Sequence, residues 1–70
     1  MSQTTGVKDE HYNLISVLYH ALQGSETVGQ YMQDAQGSEE LTQFLQNTQQ
    51  QYNQIAQQAK KLLGQQLSQA

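Results

Sequence analysis

From Val7 to Ala35 the chain repeats one spacing. Alternate steps of four and three land on Val7, His11, Leu14, Leu18, Ala21, Ser25, Val28, Met32 and Ala35. At 100° per residue these positions stay on one side of a helix for four heptads. A second stripe of similar length follows in Leu41, Leu45, Thr48, Tyr52, Ile55, Ala59, Leu62 and Gln66, with Phe44, Ala56, Leu63 and Leu67 beside it. Two helical stripes in a chain without proline predict an all-α fold with two uninterrupted helices.

The break between them is Gln36-Gly37-Ser38. Gly37 suits a left-handed helix end, and Ser38 is a good N-cap. Glu39 and Glu40 then sit in the first turn of the second helix, where negative charge meets the positive end of the helix dipole; Asp9 and Glu10 do the same for the first. Lys60 and Lys61 fall late in the second helix, toward its negative end. The expected layout is a flexible tail over 1–7, helix 1 over about 8–35, a turn at 36–38 and helix 2 over about 39–68. Thr4 or Thr5 is the candidate cap of the first helix. So short a link makes the helices fold back antiparallel as a hairpin. Gly24 and Gly29 each cost about 1 kcal/mol against Ala inside a helix. The stripe stays in phase across both, so one helix is expected, with a kink at Gly24 as the alternative.

The stripes are wide. Val17 flanks the first on one side, and Ile15 and Leu22 on the other. That arc suits a helix touching two or more neighbours, as in a bundle. Seventy residues bury only about 60% of the unfolded surface. Small domains therefore lean on disulfides, metals or oligomerisation, and this one has no cysteine. Two hairpins pairing as a homodimeric four-helix bundle would cover the flanks, with Leu14, Leu18, Leu22, Tyr52, Ile55 and Leu62 as the expected dimer interface.

Charge narrows the partners. Three lysines, no arginine and a net charge of −3 supply no basic face for nucleic acid or for a membrane surface. No apolar run approaches the roughly 20 residues of a spanning helix. Met1 to Lys8 lacks the apolar core of a secretory signal, so a soluble cytoplasmic protein is expected. Sixteen glutamines could mark a disordered tract. They fall between periodic apolar residues, however, which reads as a neutral, solvated helix face.

Few residues carry chemistry. There is no Gly-rich phosphate loop and no Ser-His-Asp set, and Ser25 before Glu26 lies in a helix rather than at a nucleophile elbow. The chain is read as non-catalytic, with no cofactor and no metal expected. The metal candidates are Glu10, His11, His20 and Glu26. His11 is at the edge of the stripe, and both it and Glu10 are near a helix start, where partly wet side chains need no special role. His20 and Glu26 differ by about 120° around the axis and cannot share a ligand on one helix. Glu26, at the margin of the stripe, needs a partner, a metal or an exit to solvent. Copies of these residues meeting across a dimer axis are the metal-binding alternative. A small-molecule site among Ala21, Gly24, Ser25 and Gly29 is a third. Tyr12, Tyr19, Tyr31 and Tyr52 are packing residues with a polar tip.

The run EHYNLISVLYHALQGSETVGQYMQDA, a short turn, and EELTQFLQNTQQQYNQIAQQAKKLL resemble a short ferritin-like hairpin. The layout over about residues 9–67 is similar to half-ferritins such as the encapsulated ferritins, in which two hairpins rebuild a four-helix bundle. The resemblance implies that fold. It also implies a Glu from one helix and a Glu-x-x-His from the other around a di-iron centre. Glu26 matches the first. The second helix has no Asp, Glu or His after Glu40, and its matching region holds Gln51, Tyr52, Gln54 and Ile55. Glutamine is a poor replacement for an ionised ligand, so the expectation is the fold without the iron site.

Overall fold

Helix α1 spans Asp9–Asp34 and helix α2 spans Glu39–Ser68 in the computed structural model, which describes residues 8–68. The tail over 1–7, with Val7 and the candidate caps Thr4 and Thr5, lies outside the described residues. Lys8 occupies the N-cap position of α1 in extended backbone, and its carbonyl accepts the Tyr12 N–H at 3.0 Å. The Lys8 side chain makes no cap hydrogen bond; Asp9 and Glu10 supply the negative charge of the first turn. The helix runs through Gly24 and Gly29 without a break.

The turn is tied down at Ala35. Its carbonyl accepts the Ser38 N–H at 2.9 Å and the Thr42 hydroxyl at 3.0 Å, so one acceptor fastens both the link and the first turn of α2. Ser38 caps α2 as its residue type predicts, its Oγ accepting the Leu41 N–H at 3.2 Å. Gly37 departs from expectation: it is not in the left-handed region. The bond from Ser38 back to Ala35 closes the turn without a positive φ there. Lys60 and Lys61 fall in the later part of α2, which runs to Ser68 as expected, though its last turn itself holds no basic residue.

The two helices pack on one another as a helical hairpin, and there is no strand among the described residues. What they bury is small. Ala21, Val28 and Ala35 of α1 and Ala56 and Ala59 of α2 form the buried apolar core, and no large side chain is fully buried. Leu14, Leu18, Met32, Leu45, Tyr52 and Leu63 are half-buried along the same line. The α1 stripe is therefore the one that the spacing marks out. On α2 the packed line is displaced to Thr42, Leu45, Gln49, Tyr52, Ala56, Ala59 and Leu63, leaving Leu41, Ile55 and Leu62 exposed. Alanine on both helices lets the backbones approach closely, a geometry that branched side chains at Ile55 and Leu62 would prevent.

Candidate interaction surface

The exposed large apolar residues fall into two sets, set by the spacing along each helix. On α2, Leu41, Ile55 and Leu62 recur with Thr48 in heptad steps, and Phe44, 63% exposed, is the most open of the apolar side chains. On α1, Val17 and Tyr31 lie seven residues either side of Gly24. A Cβ at Gly24 would stand 2.9 Å from the Tyr52 ring. Tyr52 in turn lines a shallow hollow with Thr48, Gln51 and Ile55. Gly24 and Tyr52 thus join the two flanks, and this broad side of the hairpin is apolar on both helices.

The opposite side differs. There Ile15 and Leu22, and Tyr12 and Tyr19, repeat at heptad intervals on α1. Leu18 and Leu22 line a groove of about 480 Å³ whose α2 wall is Asn53, Ala56, Gln57 and Lys60. One wall is apolar, and the other carries amides and a cation. Of the expected interface residues, Leu22, Ile55 and Leu62 are exposed, whereas Leu14, Leu18 and Tyr52 are half-buried by the hairpin itself.

Polar contacts across the seam are specific. Gln49 Nε2 donates to the Ser25 carbonyl at 2.9 Å, and the Ser25 hydroxyl donates to Asn53 Oδ1 at 2.8 Å. Gln49 is half-buried, unlike the solvated glutamines that the pattern describes. Its place one step after Leu45 in the three-four series is the signal that would have found it. Of the small residues Ala21, Gly24, Ser25 and Gly29, Gly24 has the Tyr52 ring 2.9 Å from where a Cβ would stand, and Gly29 has the Gln49 amide at 3.1 Å.

The metal candidates are scattered. His11 is buried at 8% exposure, Glu10 and Glu26 are exposed, and His20 is exposed with its ring edge-on to Tyr19 at 5.4 Å. Among the described residues no three His, Asp or Glu side chains come together in a group that could hold a metal ion. No helix among them is long and apolar enough to cross a membrane. No family model, no curated protein and no solved structure matches the chain.

Proposed function

We propose that this chain is a non-catalytic, self-associating module: an antiparallel hairpin that pairs with a second copy as a ferritin-like four-helix bundle. One observation carries the reading. The fully buried part of the seam between α1 and α2 is four alanines and Val28, while Leu22, Leu41, Phe44, Ile55, Leu62 and Tyr31 stand outside it with about half their surface in water. Full burial of each such side chain stabilises by about 1.5–3 kcal/mol. Large contiguous apolar patches on a soluble protein commonly mark an interaction site. The antiparallel part of the reading is supported by contacts at two levels, Ala35 with Thr42 near the turn and Ser25 with Gln49 and Asn53 further along.

The cellular role in this reading is structural or protein-interaction. Light scattering on a variant carrying Ile55→Glu and Leu62→Glu tests it. The wild type is expected at the mass of a dimer and the variant at 7.9 kDa, still helical. A wild type and a variant of equal mass would remove the support for it.

A further inference from the structure

Resting on that self-association, we propose that two copies dock head to tail, through the side of the hairpin that carries Leu41, Ile55 and Leu62. The occupant of this face is a second copy of the same chain. Three features of the molecule point to it.

The first is extent. The molecule measures 49 × 21 × 13 Å, and its broad side is roughly 1,000 Å² in projection. A stable complex needs about 800 Å² per partner, so one broad side suffices. The second is symmetry within the heptad line. Leu41, Thr48, Ile55 and Leu62 are spaced evenly about a midpoint between Thr48 and Ile55. In a head-to-tail pair, Leu41 of one copy lies level with Leu62 of the other, and Thr48 with Ile55. The line faces itself, as a twofold interface requires.

The third is charge. The turn end carries Asp34, Glu39 and Glu40, whereas the open end carries Lys60 and Lys61 on α2 and Lys8 with Asp9 and Glu10 on α1. Aligning two hairpins with their turns together collects six carboxylates at one end. Turning one copy end for end brings Lys61, which lies beside Leu62, to within about 5 Å, along the axis, of the level of Glu39 and Glu40 of the other copy. The opposite broad side is less suited to self-docking, because Asn53 and Lys60 stand beside Leu22 there.

The chain has no cysteine, so one introduced at Gln36, exposed in the turn, is a unique labelling point. A spin label on Gln36→Cys in a sample of dimer mass is expected to give a label-to-label distance of about 45 Å. A distance of about 20 Å or less at dimer mass would overturn the head-to-tail arrangement and leave self-association standing. A monomer with no label pair overturns both. Charge reversal gives an independent reading. At low salt, Glu39→Lys with Glu40→Lys is expected to raise the dissociation constant roughly tenfold, and adding Lys61→Glu to recover part of the loss. Tighter pairing from the first double substitution alone is the result for turns set side by side, and contradicts the proposal.

Discussion

At the scale of single residues, Gly24 and Ser38 set the hairpin most sharply. Gly24 is needed for space: the Tyr52 ring occupies the position that a Cβ would fill. Gly64 lies in the same kind of backbone but has nothing within 4 Å of its Cβ position. The same substitution should therefore act with opposite sign. Gly64→Ala is expected to stabilise by up to about 1 kcal/mol through helix propensity. Gly24→Ala is expected to lose that gain and cost about 1 kcal/mol more by displacing the ring. Urea titrations of both variants at equal protein concentration check this, and an equal gain at the two sites would mean that the ring does not lie over Gly24. At Ser38 the hydroxyl accepts the Leu41 N–H. Ser38→Ala should cost about 1 kcal/mol in the same titration, and no change would mean that the cap contributes nothing.

At the scale of the helices, alanine decides the packing. Ala56 and Ala59 are buried in the seam, as are Ala21 and Ala35 of α1. Ala56→Leu is expected to push the helices apart and destabilise by about 1–3 kcal/mol, despite leucine's good helix propensity. Thermal unfolding followed by circular dichroism would show a lowered midpoint, whereas a raised one would place Ala56 outside the seam. Much of this scale is legible in the residues. The three-four spacing from His11 to Ala35 marks the packed face of α1, and Ser38 with Glu39 and Glu40 marks the start of α2 within a residue. The packed face of α2 is not legible in the same way. Leu45, Tyr52 and Ala59 of the expected stripe do lie in the seam, but Leu41, Ile55 and Leu62 of the same stripe are exposed, and Thr42, Gln49, Ala56 and Leu63 take their places. A helix has two candidate stripes when small residues lie beside large ones, and only the partner's shape selects between them. Gly37 misleads for a related reason: the turn is closed by the double use of the Ala35 carbonyl, and no left-handed residue is required.

At the scale of the whole molecule, an alanine seam inside and a branched, aromatic surface outside divide the labour. The seam brings two helices together, and on the proposed reading the outer side takes a second copy. Among the described residues Glu10, His11, His20 and Glu26 are not brought together in a group that could hold a metal ion. The most direct test is sedimentation equilibrium of the unmodified chain from about 1 to 100 μM, a range that brackets micromolar pairing. The structure predicts a concentration-dependent rise to about 15.8 kDa, twice the 7.9 kDa of one chain. A folded, fully helical species that stays at 7.9 kDa throughout that range would contradict it.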